Sequence, residues 1–171
     1  MSSSGRPAAG EFASYAQSDI DYVTGDDAVA ALEAQGRDTA ALFANAGDVP
    51  AYAEGKWTLK EVLGHLIDDE RIFAYRALCV ARADVRPLPG FDENDYVAAA
   101  GFEARSMQSL LDEYRIVRQA TIAFFDALSD EQWLRRGIVN GYEASVRGLA
   151  FHIAGHELHH LRTVRERYLR E

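Results

Sequence analysis

Apolar residues recur every three to four positions in four stretches of the chain, and that spacing predicts four long amphipathic helices. The first starts on a cap at Asp26 or Asp27 and runs to about Ala46, through Val29, Leu32, Thr39 and Phe43. The second starts at Thr58, where Glu61 completes a capping box, and runs to about Arg82. Ser106 caps the third, which carries Leu110, Tyr114, Val117, Thr121, Phe125 and Leu128. The fourth runs from near Ser145 to about Leu169, and Ser129 with Gln132 caps a short extra helix before it. No run alternates apolar and polar residues for long, so no sheet is expected. Residues 83–105, with Pro87, Pro89, Gly90 and Gly101, read as one long crossover connection without regular structure. The pattern predicts an all-α four-helix bundle over residues 25–171, behind a partly flexible N-terminal tail at 1–24.

Such bundles build metal sites from side chains on facing helices, and the histidines are placed for one. On the fourth helix Val146, Leu149, Ala150, Ile153, Leu161 and Val164 mark the core face. At about 100° per residue, His156 and His160 fall on one edge of that stripe, about 40° apart. His152 and His159 lie farther round, toward solvent. Two imidazoles one turn apart can share an ion. On the second helix Leu59, Val62, Leu66, Phe73 and Val80 form the stripe, and His65 flanks it with Asp69 and Arg76 on the same line. A partly buried row of His, Asp and Arg is costly unless each member has a partner or a metal. The plainer alternative, a satisfied structural histidine, fits one such residue better than two facing one core.

His156-Glu-Leu-His-His160 matches the zinc-protease pattern H-E-x-x-H. The extended pattern would place a third ligand at Glu166, but Thr163 stands where a turn-making glycine is required. Only eleven residues follow His160, too few for a helix bearing a distant Glu ligand, so a protease of that class is rejected. Glu157, near the centre of the core stripe, either orients a ligand and takes protons or forms an ion pair with an inward Arg such as Arg118. Both readings stay open. Asp69 is a second candidate base. Arg76 and Arg118 are candidate anion binders, with internal salt bridges as their alternative. Tyr96, on the long connection, is a candidate to close over the pocket, with packing as its alternative.

Composition narrows the classes further. A chain of 171 residues with 48% apolar content supports one core without disulfides, and Cys79 is its single cysteine. The opening residues hold no apolar signal core, and no stretch approaches the roughly 20 apolar residues of a membrane span. A cytoplasmic protein with no membrane partner is expected. Net charge is -9, and the one locally basic run, 162–170, is interleaved with Glu166, which argues against nucleic acid as a partner.

Several segments together resemble the DinB/YfiT-like family. They are Lys56-Trp-Thr-Leu-Lys-Glu-Val-Leu-Gly-His65-Leu, Leu88-Pro-Gly-Phe-Asp92, Arg118 with Trp133, and Gly155-His156-Glu-Leu-His-His160-Leu. The resemblance spans roughly residues 25–168 and is most specific at the histidines. It implies a bundle of up-down-down-up order, a homodimer, and a divalent ion, zinc or nickel, on His65, His156 and His160. It further implies a small-molecule substrate and, in some relatives, a low-molecular-weight thiol cosubstrate. The expected function is a metal-dependent enzyme whose three-His centre activates water or such a thiol, a hydrolase or an S-transferase. Two other classes remain: a non-enzymatic metal-binding or stress-associated bundle, and a helical interaction protein with no metal.

Overall fold

In the structure, a computed structural model describing residues 5–170, the elements are α1 (Gln17–Ile20), α2 (Ala28–Ala46), α3 (Leu59–Ala81), α4 (Glu93–Ala100), α5 (Met107–Asp126), α6 (Asp130–Leu134), β1 (Arg136–Val139), β2 (Tyr142–Ser145) and α7 (Val146–Thr163). α7 continues as a wider π-helical turn over Val164–Leu169. Each long helix starts on a side chain that takes up free backbone N–H groups. Asp27 accepts from Val29 and Ala30, Ser106 from Ser109 and Ser145 from Gly148. Thr58 with Glu61 and Ser129 with Gln132 form complete capping boxes. α2, α3, α5 and α7 make the four-helix bundle, α3 and α2 each packing against both α5 and α7.

Two apolar clusters fill the bundle, one around Phe73, Phe125, Trp133 and Phe151, the other around Phe43, Leu63, Leu110 and Tyr114. Between them every long helix contributes polar residues. Gln35 and Thr39 come from α2, Asp69 and Glu70 from α3, Arg118 and Thr121 from α5, and Glu157 from α7 with the half-buried His156 beside it. A polar layer thus crosses the middle of the core.

Three expectations are corrected. Residues 136–145 form an antiparallel hairpin, with Val139 opposite Tyr142 and Arg136 opposite Ser145. Its turn is Asn140-Gly141, both at positive φ, the conformation that suits the twist of paired strands. The connection 83–105 is not irregular, since Asp92 caps α4 inside it and a short 3-10 turn, Phe102–Ala104, follows. The N-terminal segment does not behave as a tail over the described residues. Phe12, Ala16, Ile20 and Val23 are buried in the first cluster, and Arg6 donates to the carbonyls of Ile20, Val23 and Gly25. Residues 1–4 and 171 of the expected tail and domain lie outside the described residues.

This segment lies directly on α7. A Cβ at Gly148 would meet the Glu11 carbonyl oxygen at 2.0 Å, and one at Gly155 would meet that of Asp19 at 2.4 Å. Glycine is required at both because backbone touches backbone. The buried Glu11 carboxylate receives Arg147 Nε at 2.8 Å and Nη2 at 2.6 Å. Burial pushes the Glu11 pKa up, but Arg147, the Ala8 N–H and Ser145 outweigh it and hold the group at about 2.

Candidate metal centre

Adjacent residues on a helix point about 100° apart, and the polar layer uses this twice. On α3 Asp69 and Glu70, and on α7 His156 and Glu157, send one side chain to each of two separate places. Glu70 and Glu157 turn inward to Arg118. His156 and Asp69 turn to a cavity of about 440 Å³ at the side of the bundle.

In that cavity three histidines converge. His156 Nε2 lies 3.1 Å from His65 Nε2 and 3.1 Å from His160 Nε2. α3 and α7 bring them together by running antiparallel, with Asp69 beside His156 and Phe73 beside His152. Hydrogen bonding among the rings does not account for this arrangement. His156 Nδ1 faces Asp69 Oδ2 at 3.2 Å, so its ring proton belongs on Nδ1 and Nε2 carries a single lone pair. One lone pair does not satisfy two N–H donors. Three lone pairs aimed at one point suit a cation. Nitrogens about 2.0–2.1 Å from a zinc ion lie about 3.3 Å apart in a tetrahedron and about 2.9 Å apart at right angles, which brackets the observed spacing. The donor set of three imidazoles, one of them oriented by a carboxylate, therefore fits a divalent ion.

The electrostatics agree with neutral ligands. Burial lowers the pKa of His65 to about 4 and of His160 to about 3, and in His160 the neighbouring His65 adds to it. His156 is held well below the usual range by burial and then by the surrounding imidazoles. Burial pushes Asp69 up to about 8, opposed by Arg76 and assisted by Glu70, Glu93 and Asp19.

The cavity wall is mixed. Trp57 packs on His65 with ring centroids 4.8 Å apart, and Phe73 and Phe91 supply apolar surface. Arg76 reaches the cavity from the far end of α3 and donates to the Pro89 carbonyl at 2.7 Å. Its guanidinium lies 4.7 Å from the Phe73 ring centroid and 5.7 Å from that of Phe91. A second cavity of about 350 Å³ shares Trp57, His159 and His160 with the first.

Of the residues singled out from sequence, His65, His156, His160, Asp69 and Arg76 share this cavity. Glu157, Arg118 and Tyr96 do not, and their expected roles are corrected. Glu157 accepts from Arg118, from the Thr39 hydroxyl at 2.7 Å and from the Tyr114 hydroxyl at 3.0 Å. Arg118 also grips Glu70 through Nε at 2.9 Å and Nη2 at 2.8 Å, and gives Nη1 to the Leu32 carbonyl. Burial weakens this cation, but the two carboxylates outweigh it and hold its pKa well above the ordinary value. Both residues belong to a closed internal ion network. Tyr96 is exposed on α4 and packs on Phe91 rather than lining the cavity.

His152 is also corrected: it is 8% exposed and stacks on Phe73 at 3.9 Å, with its pKa lowered to about 3 by burial and then by Arg76. The N-terminal segment covers the face of α7 that a bundle of four helices alone leaves to solvent. His159 stays half in solvent and pairs with Asp19 at 3.2 Å. Tyr15, Asp19, Glu93 and Asn140 line the cavity without having been singled out. Tyr15 and Asp19 belong to the supposed tail, Glu93 and Asn140 to elements not expected. The Asn-Gly pair was the signal available for Asn140.

Residues 31–164 match the family model of the DinB superfamily. No curated protein matches the chain. Among solved structures the chain is similar to YfiT from Bacillus subtilis, described as a "probable metal-dependent hydrolase with an unusual four-helix bundle topology". The TM-score is 0.69 at 15% identity, over 94% of this chain and 89% of that one, a likeness of fold. Among the described residues no helix is long and apolar enough to cross a membrane.

Proposed function

The chain belongs to the DinB superfamily, and from that premise we propose that it is a divalent-metal-dependent hydrolase acting on a small molecule, with His65, His156 and His160 as ligands. The observation that carries this reading is the convergence of three Nε2 atoms at the wall of an open cavity. The description of YfiT supports the same reaction class. Imidazole donors suit zinc or nickel. When bound, such an ion supplies Lewis acidity at the coordination positions the protein leaves free.

The chain's own residues do the rest. Asp69 fixes the His156 ring by taking its Nδ1–H, which directs Nε2 to the shared point. Trp57 packs against His65 and holds that ring in place. Phe73 and Phe91 make part of the cavity apolar, which strengthens polar interactions inside it. A non-enzymatic metal-binding bundle needs the same ligands but no room beside them, and the cavity favours the enzyme.

The test is metal analysis of the purified protein together with turnover of a panel of small esters and amides. The reading predicts about one ion per chain, and hydrolysis lost on chelation and restored by zinc or nickel. Hydrolysis indifferent to chelation, or turnover that requires an added thiol, would contradict it.

A further inference from the structure

Arg76 is a buried cation with no ion pair among the described residues, Asp69 balancing its charge only beyond direct contact. It is 4% exposed, yet among the described residues no carboxylate oxygen lies within 4.0 Å of its side-chain nitrogens. Its one hydrogen bond among the described residues runs to the Pro89 carbonyl. A guanidinium carries five N–H donors in a planar fork, so most of the fork is left over. Arg76 lines the cavity, and none of its nitrogens is both fully buried and without a partner among the described residues, so the unused donors are open to the space around it. The Phe73 and Phe91 rings partly offset the charge from its faces and leave its edge open. Arg118 shows what this fold does with a structural arginine, which it surrounds with two carboxylates and a carbonyl.

We propose that Arg76 is the anion subsite of the cavity and that its ligand is a small molecule bearing a single carboxylate. This rests on the proposed function, since the carboxylate would hold the substrate while its reacting bond faces the histidines. The planar fork matches a carboxylate by two parallel hydrogen bonds. Phosphate shares that chemistry but carries more charge, and Asp19, Asp69 and Glu93 line the same cavity. Asp69, raised to about 8, is the least charged of the three at neutral pH, and the negative charge of the other two disfavours a dianion.

The test uses chain-matched hydroxamates, whose metal-binding heads are identical. Zinc-loaded protein of measured metal content is titrated calorimetrically with butyrohydroxamate, succinic monohydroxamate and 3-phosphonopropionohydroxamate. A hexanoyl/adipic pair covers a longer reach. The carboxylate member should bind at least about tenfold more tightly than its neutral partner, with the phosphonate weaker than the carboxylate. Arg76→Met should abolish the preference and keep the melting temperature, while Arg76→Lys retains part of the preference. Equal binding within both pairs, a preference that survives Arg76→Met, or a favoured phosphonate would overturn the proposal. A loss of melting temperature in Arg76→Met as large as that in Arg118→Met would assign Arg76 to structure and also overturn it. A metal-free arm separates this from the proposed function. Butyrate should raise the melting temperature of wild type by about 2–4 °C where butyramide does not, and Arg76→Met should lose the effect. If the protein takes up no zinc, the metal reading fails and the butyrate arm still decides the anion subsite.

Discussion

The polar layer of this bundle has two sides that share α3 and α7, one of them completed by α2 and α5, and they treat polar groups in opposite ways. Around Arg118 each partner is spoken for: Glu70 and Glu157 share the guanidinium, while Tyr114 and Thr39 complete Glu157. One residue along each helix, the other side leaves three imidazole lone pairs converging and a guanidinium open. His65, Asp69 and Arg76 are as buried as Arg118, Glu70 and Glu157, while His156 and His160 are half-buried, so burial alone does not separate structure from function. Satisfaction does. A buried polar network whose members all have partners stabilises a fold, whereas one with aligned, unfilled valences is a site.

That contrast predicts opposite outcomes for substitutions on the two sides. The largest effect is expected for Arg118→Met, which strands two buried carboxylates. It should cost about 3–5 kcal/mol, a fall in melting temperature of about 10 °C, with metal content unchanged in the folded protein. Thermal denaturation followed by circular dichroism measures it, and a melting temperature equal to wild type would sink the structural reading of the network.

The next effect is acid sensitivity of the metal-free protein. His65, His152, His156 and His160 have folded pKa values depressed below the ordinary 6.5, so their stability contribution is present above pH 6.5 and lost as pH falls toward 4. Asp69, raised to about 8, acts in the opposite sense, stabilising below its ordinary 3.8 and losing that contribution as pH rises through 8. The four histidines outnumber the one aspartate, so unfolding takes up protons on balance and stability falls as pH drops from 6.5 toward 4. A melting temperature flat from pH 7 to 5 would contradict the buried, neutral histidines.

Asp69→Asn is expected to act more gently. It keeps the shape but weakens the grip on His156 Nδ1, and should reduce metal affinity by about 10–100-fold, with the fold intact. Competition with a chelator of known affinity reads this out, and unchanged affinity would remove Asp69 from its positioning role. The smallest effect is expected at Gly155→Ala, which presses a methyl group on the Asp19 carbonyl. It should cost about 1–3 kcal/mol and loosen the N-terminal segment, visible as faster amide exchange over residues 12–23.

The helices, their caps and the three histidines were legible in the sequence because each is a local or single-helix property. Periodicity places Leu59, Val62 and Leu66, and a capping box needs four consecutive residues. The N-terminal segment was not legible, since Phe12 and Ile20 are buried by contact with a helix more than a hundred residues away, and the glycines that admit them read as ordinary helix glycines. The same blind spot misplaced His152, whose wheel position is correct for a bare bundle. Glu157 and Arg118 were ambiguous for a different reason. An inward charge on a wheel looks alike whether its partner is a substrate or another side chain. The hairpin turn at Asn140-Gly141 carried its signal openly, but the strands beside it are too short for alternation to register.

The contrast between the two sides is tested most directly by metal content in two neighbouring variants, His156→Ala and Glu157→Gln, purified beside wild type and measured by elemental analysis after dialysis. Glutamine keeps hydrogen-bonding atoms at position 157, and circular dichroism in the cold verifies that both variants are folded. The prediction is about one divalent ion per chain in wild type and in Glu157→Gln, and none in His156→Ala. Equal loss in both variants, or full retention in His156→Ala, would contradict the division of the polar layer into a structural side and a metal-binding side.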